Sequence, residues 1–376
     1  MRAALDRWLF DTFTASPEGL GLYRILYASF VLFAFTPGHA ELLDFSFVGA
    51  LPNAFFLPPP GPLMLLPGPP PSWLLDALHL LLTGSLVALL VGYRTRWASW
   101  AVFGLLLTGY GFAFSVGKIN HVMLFVLLPL VMSLTNWGAA YSMDAQAQRT
   151  PRAVQTWPLA LLALLIGFAM FTAGFSKLIG GWLDPTTQAT QGHFVKQFFA
   201  RGRQDFLAPW LLQVDSVVFW ELLDWGTVLF EMGFLVAVVR KQTMRLFLAA
   251  AIGFHLGTLL MLNIAFVFNY IVYAAFISWG PLAKRLQDGL AHLPNGAAAP
   301  RLILLVGAVG TLGLWAYGSP LLWGSLSAGL VSDLTWIEVG CAAVAVAVVL
   351  AEGGRYLRNV LHRTHRQQHP TMKRSG

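Results

Sequence analysis

Long apolar stretches separated by short polar ones run along most of this chain. A helix needs about 17 to 25 apolar residues to cross a bilayer, and stretches of that length recur ten times. The predicted spans lie near residues 19–36, 73–92, 97–115, 120–136, 157–178, 217–239, 244–262, 265–281, 301–318 and 334–351. The third and fourth spans, and the seventh and eighth, are so close that one of each pair could be re-entrant. The pattern predicts an all-α, polytopic transmembrane helical bundle of about eight to ten spans.

The composition supports a membrane protein. Hydrophobic residues make up 57% of the chain and charged residues 11%, whereas soluble domains carry about 25% charged residues. Cys341 is the single cysteine, so no disulfide can form within the chain. The net charge of +7 includes a tail after Glu352 with six Lys/Arg and no acid. Such a tail is typical of a topology anchor beside anionic lipid, and we expect no nucleic-acid partner.

The distribution of basic residues predicts the orientation of the bundle. With the N-terminus placed in the cytoplasm, the inner segments hold eighteen Lys and Arg and the outer segments hold five. The positive-inside rule therefore predicts that both termini are cytoplasmic. The five outer basic residues indicate an extracytoplasmic site that requires positive charge. They are Lys118, Lys177, Lys196, Arg201 and Arg203.

Lys177 is the most informative of these residues. It follows a stretch without any charge, residues 157–175. A charged ammonium inside a membrane is costly, and removal from water favours the neutral amine, which can act as a base. A lysine near a helix end can instead extend its ammonium to the interface as an anchor. Both interpretations of Lys177 are open from its position alone.

Further polar residues occur where a span should be apolar. They are Arg24, Lys118, Asn120, His121, Glu231 and His255. The histidines lie on different elements with no carboxylate cluster near them, so no metal site is expected. No Ser/His/Asp arrangement and no nucleotide-binding glycine loop is present. An amine, imidazoles and a buried carboxylate suit the deprotonation of a weakly acidic, lipid-soluble molecule and the stabilisation of its anion. Gly253 and Gly257 flank His255 at a spacing that favours close helix packing.

Four motifs occur in order along the chain: GYRTR, GKINH, AGFSKLIGGW and FHLGTLLMLNIAFVFNY. Together they resemble the transmembrane domain of the vitamin K-dependent gamma-glutamyl carboxylase family, whose bacterial homologues are called HTTM-domain proteins. The third motif matches the family pattern of alanine-glycine, lysine and tryptophan. The matching residues are Ala173, Gly174, Lys177 and Trp182.

The resemblance implies roles for individual residues. Lys177 would be the catalytic base that removes a proton from reduced vitamin K, and His121 a second catalytic residue. The remaining matches imply residues that bind the quinone. They are Lys118, Asn120, Trp182, Glu231, His255 and Tyr270. The implied cofactor is a vitamin K-like hydroquinone, without a metal.

The resemblance also implies the domain organisation. Residues 1–292 would form the carboxylase-like transmembrane core, 293–352 two additional spans, and 353–376 a basic cytoplasmic tail. The chain departs from the family in two respects. Ser176 stands where the carboxylases have a second basic residue, and the large extramembrane domain that binds the protein substrate is replaced by two spans and the tail.

Two hypotheses for the function follow. In the first, the chain lies in the bacterial inner membrane, and Lys177 deprotonates a reduced quinone in an outward-facing pocket to drive carboxylation or a related oxidation. In the alternative, it is a non-catalytic subunit that binds quinone or lipid, or docks a partner. A transporter is a weaker third hypothesis, since no inverted repeat is evident. Besides membrane lipid and quinone, we expect a separate extracytoplasmic substrate or partner protein.

Two outer segments could contact partners. Residues 52–71 contain nine prolines and no charge, which favours extended polyproline geometry at the membrane interface, against another chain, or as a rigid lid. Residues 193–213 alternate aromatic and basic residues, as expected of an interfacial amphipathic segment.

Overall fold

The computed structural model describes residues 2–34, 45–117, 119, 122–147 and 153–291. These residues form helices joined by turns, with no strand among them, which confirms the all-α class. The α-helices, numbered in chain order, are α1 (Arg2–Asp11), α2 (Pro17–Ala34), α3 (Ser72–Val91), α4 (Thr95–Ala113), α5 (Val122–Ser133), α6 (Met143–Ala147), α7 (Trp157–Ile179), α8 (Ala189–Val195), α9 (Ala208–Leu211), α10 (Val217–Ala237), α11 (Lys241–Leu262), α12 (Val267–Tyr273) and α13 (Trp279–Ala291).

Three of the described helices are long and apolar enough to cross a membrane: α3, α7 and α11. Helix α5 and the stretch Val267–Phe276 are apolar but shorter. The span predicted over 265–281 is interrupted, because α12 ends at Tyr273 and Ile277 adopts an extended backbone before α13 begins. The membrane character is thereby supported, while the number of spans and the side of the termini stay predictions.

The two further spans predicted within 293–352 and the basic tail 353–376 lie outside the described residues. What is described divides into two compact units. The first contains residues 2–173, 231–241 and 268–291, and the second contains 174–230 and 242–267.

A buried arginine holds together one end of the first unit. Arg24 on α2 is 0% exposed, and its guanidinium donates hydrogen bonds to the carbonyls of Leu89 and Leu90, at 2.5 and 3.1 Å, and of Tyr141. The last carbonyls of a helix have no partner within the helix and carry the negative end of its dipole. Arg24 therefore satisfies the C-terminal end of α3, and its charge is structural.

The GYRTR motif forms the tight corner between α3 and α4. Gly92 has a φ of 70°, and a Cβ there would collide with Ser142 and Arg24. Asp144 caps α4 by accepting hydrogen bonds from the backbone N–H groups of Arg94 and Thr95, at 2.9 and 2.7 Å. The motif thus encodes a packed corner whose backbone lies against α6.

The proline-rich segment does not adopt a continuous extended conformation. It contains short 3₁₀ helices at Asn53–Phe55 and Pro62–Leu65, because i→i+3 hydrogen bonds need only a few N–H donors between prolines. Phe56 is buried, whereas Leu57 and Leu65 are 71% and 86% exposed. The segment therefore presents an uncharged apolar face outward.

Candidate functional site

The site is built on the turn that ends α7. Lys177 lies in the last turn of this helix, and Gly181 follows with a φ of 81°. The N–H of Trp182 donates to the carbonyl of Lys177 at 3.1 Å, and the N–H of Gly181 donates to that of Leu178 at 3.3 Å. This pair of bonds is the Schellman motif, in which a left-handed residue ends a helix and glycine is favoured at that position.

The Schellman motif brings Lys177 and Trp182 into contact. In this motif the residues that occupy the positions of Lys177 and Trp182 commonly pack side chain against side chain. Here the Lys177 Nζ lies 5.3 Å from the centroid of a Trp182 ring, within range of a cation–π interaction. Lys177 is half-buried. The five-residue separation of lysine and tryptophan in the sequence motif is therefore the separation of the two residues joined by the outer hydrogen bond of a Schellman motif.

Trp182 is held in a hydrogen-bonded turn. Thr187 Oγ1 donates to the carbonyl of Gly181 at 2.8 Å. The Asp184 carboxylate accepts from the N–H and the Oγ1 of Thr186, at 2.9 and 2.7 Å, and these bonds lower the pKa of Asp184 below its ordinary value. The turn leaves Trp182 ordered beside the lysine.

The other neighbour of Trp182 is a histidine on α8. The rings of Trp182 and His193 lie 5.5 Å apart at 41°. His193 itself is exposed, and Trp182 therefore lies near both an amine and an imidazole. In the sequence analysis His193 appears only as the first residue of the amphipathic segment 193–213.

A carboxylate on α10 positions α8. Asp224 is 0% exposed and accepts hydrogen bonds from the backbone N–H groups of Ala189 and Thr190, at 2.9 and 2.8 Å, and from Thr190 Oγ1 at 2.6 Å. It thus satisfies the first N–H groups of α8 as an N-cap residue would. Sequence reasoning missed Asp224, although an acid inside a predicted span was the available signal.

His255 also lies in the second unit. It is buried, and its ring stacks on Phe266 with centroids 4.3 Å apart at 15°. Among the described residues nothing packs closely against its neighbours Gly253 and Gly257, and the predicted close helix packing there stays a prediction. A Cβ added at Gly253 or Gly257 would meet no atom within 4 Å there, because these faces of α11 are not packed against another backbone.

The remaining predicted residues are distributed differently. Glu231 and Tyr270 are buried and belong to the first unit. Lys118, Asn120 and His121 lie outside the described residues. The structure therefore brings together Lys177 and Trp182 directly and places His255 in the same unit. Among the described residues, no group of three or more His, Cys, Asp or Glu side chains could hold a metal ion.

The helix end provides a direct test of how the lysine is positioned. Gly181→Ala places a Cβ on a left-handed residue, which costs about 1–2 kcal/mol, and should loosen the packing of Trp182 on Lys177. We expect a lower thermal midpoint and faster proteolysis within residues 181–188. Gly192→Ala is the matched control. A Cβ there meets nothing within 4 Å, and alanine in a helix is about 0.5–1 kcal/mol better than glycine. Equal stability of both variants would contradict this role for Gly181.

Comparison with known families assigns the chain. The HTTM domain model matches residues 14–279, well over half of the chain, from the turn before α2 to the first residue of α13. Searches of curated proteins and of solved structures found no match. The matched range contains Lys177 and Trp182, and three of its helices are suited to cross a membrane. The chain is a membrane protein of the HTTM-domain family.

Proposed function

We propose that this chain binds a reduced quinone and that Lys177 removes a proton from it. The observation that carries the proposal is the half-buried amine of Lys177 at the end of an apolar helix, beside the aromatic face of Trp182. The HTTM family assignment supports it, because this family resembles the transmembrane domain of the vitamin K-dependent carboxylases.

The residues present fit an aromatic, weakly acidic ligand. Trp182 offers an aromatic face beside the turn, and His255 stacked on Phe266 supplies a second aromatic surface in the same unit. Flat rings pack well on such surfaces in offset or edge-to-face arrangements. A quinol placed on Trp182 would bring a hydroxyl toward the amine that lies over the same ring system.

In this step the proton of the quinol hydroxyl would pass to Nζ of Lys177. The O–H bond breaks, an N–H bond forms on Nζ, and the bonding electron pair stays on the oxygen. The negative face of an aromatic ring attracts a cation above it, so the Trp182 ring would hold the ammonium that forms in place. By resemblance, the reduced quinone together with oxygen supplies the strong base for carboxylation or a related oxidation.

The proposal keeps the other predicted residues in supporting roles. His121 would be the second catalytic residue. Lys118, Asn120, Glu231, His255 and Tyr270 would bind the quinone. The pocket would face outward from the bacterial inner membrane, with both termini cytoplasmic, and a separate extracytoplasmic protein would be the substrate or partner.

A second function is favoured by the outward apolar face of the proline-rich segment. Leu57 and Leu65 are exposed on a segment without charge, which suits contact with lipid or a partner protein. In this alternative the chain is a non-catalytic subunit that holds quinone or docks a partner.

Turnover by the purified protein separates the two functions. The full chain in lipid nanodiscs should convert reduced naphthoquinone to the quinone epoxide in the presence of oxygen. Binding is measured in parallel by quenching of tryptophan fluorescence. Bound quinone without turnover would contradict the enzyme hypothesis and support the hypothesis of a non-catalytic subunit. Absence of both binding and turnover would contradict any quinone-based function.

A further inference from the structure

A second polar cluster lies in the second unit, where α11 ends. It consists of Gln197, Arg203 and Asn263, which we call the Arg203 corner. The Arg203 Nη1 donates to the carbonyl of Asn263 at 3.1 Å, and the backbone N–H of Arg203 donates to the carbonyl of Gln197 at 3.0 Å. Arg203 thus links the single-turn π-helix Lys196–Ala200 to the end of α11.

The corner contains buried polar atoms that the described residues do not satisfy. Both side-chain atoms of Asn263, Oδ1 and Nδ2, are buried without a hydrogen-bond partner among those residues. The same holds for Oε1 of Gln197, a residue that is 7% exposed. Buried polar atoms nearly always have a partner, so three such atoms on the two residues whose backbone carbonyls Arg203 binds point to a ligand.

The charge of the corner specifies an anion. Burial lowers the pKa of Arg203 below its ordinary value, and the positive charge of Arg201 lowers it further. An anion would relieve both effects, since an opposite charge stabilises the guanidinium. The remaining guanidinium N–H groups and Nδ2 of Asn263 can donate to anionic oxygens, while the two amide oxygens can accept from hydroxyl groups.

The surroundings of the corner are apolar and exposed. Phe199 is 64% exposed and Trp210 is 58% exposed. Leu207, also exposed, donates its N–H to the carbonyl of Leu260 at 3.0 Å, which places this apolar surface beside the end of α11. Phe206 has a φ of 58°, a strained backbone for a bulky residue, whereas Asn263 has a φ of 52°, which asparagine tolerates. A charged group with an adjoining apolar surface suits an amphiphile.

We propose that the Arg203 corner binds a phosphate group, as carried by the headgroup of an anionic phospholipid. Free phosphate shares this chemistry and is the other source. The site is separate from the proposed quinol chemistry and does not depend on it, because none of its three residues takes part in the proton transfer.

Binding by the full chain in neutral detergent tests the proposal. Calorimetric titration with short-chain phosphatidylglycerol, short-chain phosphatidylcholine and inorganic phosphate compares the sources. We expect tight binding of phosphatidylglycerol and at least about tenfold weaker binding to Arg203→Gln, since a hydrogen bond from a charged group contributes at least a factor of about ten. Asn263→Asp should also weaken binding, because it adds a negative charge in the same shape. Aspartate tolerates the left-handed backbone as asparagine does, so this variant tests the site without loss of the fold.

Arg201→Gln is the matched control. Arg201 is exposed and lies two residues from Arg203. Its substitution removes the same charge but none of the hydrogen bonds to Asn263. A clearly smaller loss of binding in this variant than in Arg203→Gln and Asn263→Asp supports the site, because Arg201 contributes charge but no hydrogen bond to Asn263. Equal binding of inorganic phosphate with the same variant dependence also supports it and identifies free phosphate as the source. Phosphatidylcholine also carries a phosphate group, so its binding supports the site only where Arg203→Gln weakens it. Equal binding of phosphatidylcholine by Arg203→Gln and the unaltered chain, or equal effects of Arg201→Gln and Arg203→Gln, would overturn the proposal.

Discussion

Lys177→Ala is expected to reduce quinol turnover by roughly two to four orders of magnitude, the contribution of a general base. The variant removes the atom that accepts the proton but leaves the Schellman turn intact, because that turn is made by backbone bonds from Gly181 and Trp182. The rate of epoxide formation in nanodiscs is the measurement. Quinone affinity should change little, since the aromatic surfaces remain.

Lys177→Arg distinguishes a base from an interfacial anchor. Arginine keeps a cation that can lie over Trp182 but cannot lose its proton at neutral pH. The base hypothesis therefore predicts a stable, inactive variant. If Lys177 is only an interfacial anchor, arginine should replace it without loss of turnover. Lys196→Ala is the matched control, because Lys196 is exposed in the same unit. Full turnover by Lys177→Arg would contradict the hypothesis that Lys177 is the catalytic base.

Arg24→Met is expected to destabilise the protein by about 3 kcal/mol or more. The change keeps most of the side-chain volume but leaves the carbonyls of Leu89, Leu90 and Tyr141 without the buried donor that they share. Hydrogen bonds from charged groups contribute about 1.5–3 kcal/mol each, and unsatisfied buried groups add to the loss. The thermal midpoint in detergent should fall by about 5–10 °C.

Arg96→Met is the control for Arg24. Arg96 is exposed and lies 5.1 Å above the Trp100 ring, an interaction worth about 0.5–1 kcal/mol at an exposed site. Its substitution should shift the midpoint by at most about 2 °C. Similar midpoints for the two variants would show that the Arg24 hydrogen bonds contribute little to stability.

The spanning helices were predictable because their signal is local. The stretches predicted over 73–92, 157–178 and 244–262 correspond to α3, α7 and α11 with ends shifted by at most a few residues. The length of an apolar run is a property of consecutive residues, and a helix satisfies its own backbone. The predicted span 265–281 is interrupted for a related reason. Apolar composition continues through it, but the chain leaves the helix at Ile277, which composition does not reveal.

The sequence by itself determined the membrane class, the family resemblance and the pairing of Lys177 with Trp182. That pairing is local, because a helix that ends on Gly181 brings together residues five positions apart. Only the tertiary structure decided the roles of Asp224 and Arg24. Asp224 binds Ala189 on α8, 35 residues away. Arg24 binds Leu89 at the end of α3 and Tyr141, 65 and 117 residues away. A buried charge shows in the sequence that a partner is needed, but which backbone groups satisfy it depends on how the helices pack.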